Sequence, residues 1–205
     1  MCAVLDEIGP DGPTLCAGWR TADLAAHLVL RERRPDAAAG ILGGPLRGYG
    51  ERVRRGMVAG TPYPRLVQTI RSGPPLLSIY GFPGADQLLN FSEFFVHHED
   101  VRRAQPGWEP RDLDHALTDA IWHQLSGVRY MLRRVPVGIE FARDDRADAG
   151  ASARMTVRKR VPMVTVTGPP AELLMWAFGR TGAARVKIEG ADDDVAALRQ
   201  ADWRI

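Results

Sequence analysis

Lysine is almost missing from this chain of 205 residues: of 27 cationic side chains only Lys159 and Lys187 are lysine, and the rest are arginine. Together with the many alanines and glycines, that skew reads as the codon usage of a GC-rich genome rather than as a ligand signal. The cations are scattered and nearly matched by 25 acidic residues, so the formal net charge is +2 even though the sequence pI is ≈ 8.7. Proteins that follow a phosphate backbone show a basic stripe with interleaved aromatics. No such stripe runs through this sequence, and no nucleic-acid partner is expected.

Cysteine is scarce as well. Cys2 and Cys16 supply neither a disulfide framework nor a four-thiolate zinc site, and Cys16, in the turn-like stretch 13–18, reads as a small half-buried thiol. Long apolar runs are lacking: the densest, 173–178, covers six positions, far below the ~20 of a membrane-spanning helix. Asp6, Glu7 and two prolines stand near the start where a secretory signal needs a basic and then an apolar run. A cytoplasmic protein without a membrane partner is therefore expected. With 45% hydrophobic residues and so small a net charge, the chain can bury a core, and intrinsic disorder is excluded.

The pattern changes style along the chain. Up to about Arg134 it reads as helices separated by Gly and Pro. Thr21 is a good N-cap with Asp23 in the first turn, followed by an apolar stripe of Leu24, Leu28 and Leu30 with His27 embedded in it; Pro35 should break that helix. Pro62 opens a second helix through Leu66, Val67 and Ile70. A long one is predicted over 86–104, on the spacing of Leu88, Leu89, Phe91, Phe95, Val96 and Val101, and another over 113–134. Only a stub can precede Gly9. After Pro136, period-two alternation predicts strands at 137–141, 155–158 and 164–167. A helix opened by Pro169-Pro170, a strand at 184–188 and a helix at 192–200 follow. The expectation is α+β: an up-down helical bundle over 1–135, then a small α/β domain over 136–205.

Five histidines are present, at 27, 97, 98, 115 and 123. Glu93 and His97 lie four apart, which puts a carboxylate and an imidazole on one helix face about a turn from each other. They can share a divalent metal or merely bond to each other on a solvated face. His27, in an apolar stripe, is either a satisfied core residue or the third donor such a metal needs. Two imidazoles and a carboxylate leave open positions, the arrangement of a catalytic rather than a structural metal.

These residues resemble a known family. The segment Gly18-Trp19-Arg20-Thr21-Ala22-Asp23-Leu24-Ala25-Ala26-His27-Leu28 is similar to the G-W-[ST]-x-x-D-L-x-x-H-L signature of mycothiol-dependent maleylpyruvate isomerase-like proteins, a branch of the DinB/YfiT-like metal-binding bundles. Glu93 to Asp100 followed by Val101-Arg102-Arg103-Ala104 resembles the family's E-x-x-V-H-x-x-D-x-x-x-A motif, in the V-H-H-E-D form of an actinobacterial subgroup without an assigned reaction. The stretch 166–180 is similar to the helix entry of the family's C-terminal α/β domain, whereas 40–75 matches no motif. The resemblance implies a DinB-like bundle with His27, Glu93 and His97 as metal ligands. It also implies a thiol co-substrate of the mycothiol type.

His98 lies about 100° around the helix from His97 and is expected in an outer shell or facing solvent. Asp100 can orient the His97 ring or be a surface carboxylate. Arg31 and Arg34, four and seven after His27, can clamp an anionic substrate or form a solvated basic helix end that suits the dipole. The expected ion is Zn²⁺ foremost, with Ni²⁺, Fe²⁺ or Mn²⁺ also accepted by this donor set. The expected function is thiol transfer or isomerisation at an electrophilic carbon, with a small-molecule thiol and an electrophile as partners. The alternative is a non-catalytic protein with a structural or sensory ion. Monomer and homodimer both stay open.

Overall fold

The computed structural model describes residues 1–38, 40, 46–75, 85–146 and 153–203, with 85–90 by backbone alone. They divide into two compact units, Met1–Pro110 and Arg111–Ile205. The first is helical: α1 (Cys2–Ile8), α2 (Thr21–Arg33), α3 (Pro35–Ala38), α4 (Arg47–Gly60), α5 (Tyr63–Arg71) and α6 (Ala85–Arg102). α1 is the short stub that the early glycine and prolines allow.

α2 is the centre of this unit. Leu24, Ala25, Ala26, Leu28 and Val29 are all buried, and they pack with Leu5 of α1, Leu66, Val67 and Ile70 of α5 and Val101 of α6. Each leucine so buried contributes roughly 1.5–3 kcal/mol of apolar transfer. Thr21 is the first helical residue, not the cap. The cap is Arg20, whose backbone N–H donates to Asp23 Oδ2 at 2.9 Å. The Thr21 hydroxyl instead donates to the carbonyl of Gly9 and accepts the Gly12 N–H at 3.2 Å, which fastens the loop before the helix. At the far end α2 stops at Arg33, and Pro35 opens α3, a position where its missing N–H costs nothing.

α4 lies in the stretch that matched no motif, and Gly48, Gly50, Gly56 and Gly60 hide its helical period. It is fixed to α2 by the buried Arg54, whose guanidinium donates to Asp23 and, at 2.6 and 2.8 Å, to Glu51. Gly50 is needed where it stands, because a Cβ there would lie 2.9 Å from the carbonyl oxygen of Ala37.

The second unit opens with α7 (His115–Gln124), whose N-cap Asp114 accepts the Leu117 N–H at 2.8 Å. The apolar spacing predicts one helix to Arg134; from Leu125 to Arg134 the backbone is instead wound as 3₁₀ turns. Ser126 and Gly127 weaken the α-helix there, and the tighter winding buries Leu125, Val128 and Leu132. Because α7 and these turns pack within the second unit, the division falls at 110/111, whereas the composition shift suggested 135/136.

The sheet has the order β2-β1-β3-β4, from β1 (Gly138–Ala142), β2 (Arg154–Arg158), β3 (Met163–Thr167) and β4 (Lys187–Glu189). β1 and β3 are parallel and the other two pairs antiparallel. β4 begins at Lys187 rather than 184, since the Arg185 N–H is taken by Glu172 Oε2 at 2.8 Å. α8 (Pro170–Ala177) is buried all round, with Trp176 edge-on to Phe141 of β1 at 5.9 Å; α9 (Asp192–Gln200) follows β4. The class is mixed α+β. No helix among the described residues is long and apolar enough to cross a membrane. The Asp-, Ala- and Gly-rich patch at 144–153 lies mostly outside the described residues.

Candidate metal centre

The candidate centre lies wholly in the first unit. His27 is placed by the buried face of α2, and Glu93 and His97 by successive turns of α6. The i,i+4 spacing brings His97 Nε2 to 3.3 Å from Glu93 Oε2. His27 Nε2 stands 3.9 Å from the same oxygen, and the two imidazole rings meet edge to face with centroids 5.0 Å apart. One donor atom from each of the three residues lies within 4.8 Å of the others. Two nitrogen or oxygen donors around one tetrahedral ion are about 3.3 Å apart, so the His97–Glu93 edge already fits and the His27–Glu93 edge at 3.9 Å needs only a small contraction.

One atom tests whether the three residues suit an ion. His27 Nε2 is buried and has no hydrogen-bond partner among the described residues, since 3.9 Å exceeds hydrogen-bond range. An unsatisfied buried polar atom costs roughly 1–3 kcal/mol. A cation between His27, Glu93 and His97 would satisfy it. No fourth Cys, His, Asp or Glu joins the group among the described residues.

The electrostatics favour the ligand forms at His27 and Glu93. Burial pushes the His27 imidazole below its ordinary value, and His97 reinforces this against the pull of Glu93. Burial raises the Glu93 carboxyl, but His27, His97 and Arg31 more than offset it and hold it well below the usual carboxylate range. Arg31 is itself buried, with Nε 3.9 Å from Glu93 Oε2. Trp19 packs on His27 at 5.1 Å between ring centroids, and the Arg54 guanidinium lies 4.6 Å over Trp19.

The other nitrogen of His97 has its own surroundings. Nδ1 is 2.9 Å from Oδ2 of the fully buried Asp100, and the Cys16 thiol donates to that same oxygen at 3.2 Å. Burial pushes the His97 imidazole down, yet Asp100, Cys16 and Glu93 together raise it well above its ordinary value. The Leu15 N–H donates to the Asp100 carbonyl at 3.0 Å, which holds the Cys16 turn against α6.

Two residues expected near this centre have partners elsewhere. Arg34 follows the last residue of α2, so the helical phase that would carry it to the His27 face is broken; it forks onto Asp36 at 2.9 and 2.8 Å. His98 turns Nδ1 toward Glu99, 3.6 Å away, and does not join His27, Glu93 and His97. Cys16 is the residue that spacing could not reveal. It is 81 positions from His97, and only the folded turn brings them together.

No protein-family model, no curated protein and no solved structure matches this chain.

Proposed function

We propose that this protein is a divalent-metal-dependent enzyme of the DinB-like, mycothiol-dependent kind, with His27, Glu93 and His97 as the ligands. The reaction proposed is thiol transfer, or isomerisation through a reversible thiol adduct, at an electrophilic carbon. The observation that carries the reading is the convergence of three donors on a buried, unpartnered imidazole nitrogen with no fourth donor in the group among the described residues. Three protein ligands and an open position are the arrangement of catalytic sites, whereas structural sites are closed by a fourth.

When bound, the ion supplies Lewis-acid chemistry and lowers the pKa of a coordinated thiol. The chain's own groups do the rest. Glu93 brings one negative charge to the ion, and Arg31 behind it provides a cation suited to the carboxylate of an anionic substrate. Asp100 fixes the His97 ring from its far side. Trp19 covers His27 and limits the approach of water to that edge. Cys16 lies on the Nδ1 side of His97, outside the group formed by His27, Glu93 and His97, so the nucleophile is expected from a small-molecule thiol.

The test uses cobalt in a Cys2→Ala/Cys16→Ser background, in which any sulfur must come from solution. Titration with a low-molecular-weight thiol is expected to produce a sulfur-to-cobalt charge-transfer band. A cobalt spectrum unchanged by millimolar thiol would overturn the thiol-dependent reading and favour a non-catalytic ion.

A further inference from the structure

His97 presents its two ring nitrogens to two different groups of donors, and only one of them is used above. On the Nδ1 side, Cys16 Sγ, Asp100 Oδ2 and Nδ1 also lie within 4.8 Å of one another. Their separations are 3.2 Å for sulfur to oxygen, 2.9 Å for nitrogen to oxygen and 4.0 Å for sulfur to nitrogen. Around a tetrahedral ion with bonds of about 2.0–2.3 Å, the same edges measure about 3.3–3.6 Å. Closing the difference needs shifts of a few tenths of an ångström in side chains already in place. Asp100 is fully buried, and Cys16 is half-buried and lines an open hollow of about 440 Å³ with Thr14 and Trp19. The hollow gives an ion a way in from solvent to the sulfur.

We propose that Cys16, Asp100 and the Nδ1 nitrogen of His97 form a second cation position, selective for thiophilic ions and alternative to the first. A thiolate and a carboxylate together neutralise a dication. A sulfur donor selects Zn²⁺ or Cd²⁺ over Mg²⁺, Ca²⁺ or Mn²⁺. Binding forms metal–sulfur and metal–nitrogen bonds and releases two protons to solvent, one from the Cys16 thiol and one from Nδ1 of the His97 imidazolium, which leaves the ring neutral. Neutral His97 has one free lone pair: when Nδ1 binds the ion, Nε2 keeps its proton and donates it to Glu93, 3.3 Å away. When Nε2 is the ligand, Nδ1 keeps the proton and donates it to Asp100. The tautomer of one imidazole therefore decides which position is complete, and the two positions exclude each other.

The experiment takes the metal-free 205-residue chain with Cys2→Ala, so that Cys16 is its sole thiol, and titrates it with Cd²⁺. A thiolate-to-cadmium charge-transfer band saturating at one equivalent is expected, and it should survive His27→Ala. Adding Cys16→Ser should remove the band and weaken Cd²⁺ binding at least tenfold. Absence of the band in the Cys2→Ala protein, its loss on His27→Ala, or its persistence after Cys16→Ser would each overturn the second position. Mn²⁺ binding to the same proteins separates the two ideas. Retained in Cys16→Ser and lost in His27→Ala, it supports the first centre whatever cadmium does. Mn²⁺ binding that is kept in His27→Ala would overturn that centre, and the cadmium band alone then decides the second position.

Discussion

His27 and His98 are imidazoles that each stand near a carboxylate, Glu93 and Glu99, yet the structure gives them opposite weight. His27 is buried with an unpartnered Nε2, and His98 keeps a 20% exposed side chain directed at Glu99. His98→Ala is therefore expected to bind metal within about twofold of the wild type, because it removes no donor from either group. Metal loss matching that of His97→Ala, measured by dialysis and elemental analysis, would make His98 a ligand. The Glu93/His97 pair was legible in the sequence because four residues on one helix fix its geometry, and His27 because its stripe had to face inward. Cys16 was not legible, since its approach to His97 depends on a turn 81 residues away. Arg34, beyond the last residue of α2, pairs with Asp36, as a solvated helix end allows.

At the scale of elements, hydrophobic period decided what could be read. α2, α5 and α6 carry clean apolar spacing and were expected close to their observed bounds. α4 was hidden by its four glycines, and much of what fixes it is polar, with Arg54 reaching Glu51 and Asp23. That polar attachment makes α4 acid-sensitive. The Arg54 and Arg55 guanidinium groups outweigh the effect of burial and hold the Glu51 carboxyl down at about 2 from its ordinary 4.5. A carboxyl depressed on folding stabilises the folded state above its unfolded pKa, and that stability disappears as pH falls through the folded value. Between about pH 5 and pH 2 the protein is expected to lose about 1 kcal/mol through this group, discounted because Glu51 is one-third exposed. Glu51→Gln should flatten urea-measured stability across that window by the same amount. An unchanged slope would show that Glu51 does not hold α4.

At the scale of the whole molecule, both donor groups lie inside the Met1–Pro110 unit, and the sheet of the Arg111–Ile205 unit contributes none of their residues. The mixed α+β class was legible from the switch of hydrophobic period near Pro136. The boundary was not, because α7 looks like one more helix of the series and only its packing assigns it to the second unit. A bound ion stabilises the folded state by mass action, about 2.7 kcal/mol when free ion is a hundred times Kd. The most direct measurement is the metal content of protein purified without chelating resin, Cys16→Ser beside Cys16→Ser/His27→Ala so that the second position is disabled in both, with circular dichroism to verify that both are folded. The expected result is about one divalent ion per chain in Cys16→Ser and less than about a tenth of that in Cys16→Ser/His27→Ala at unchanged helicity. A folded Cys16→Ser/His27→Ala protein that keeps its full complement of metal would contradict the centre formed by His27, Glu93 and His97.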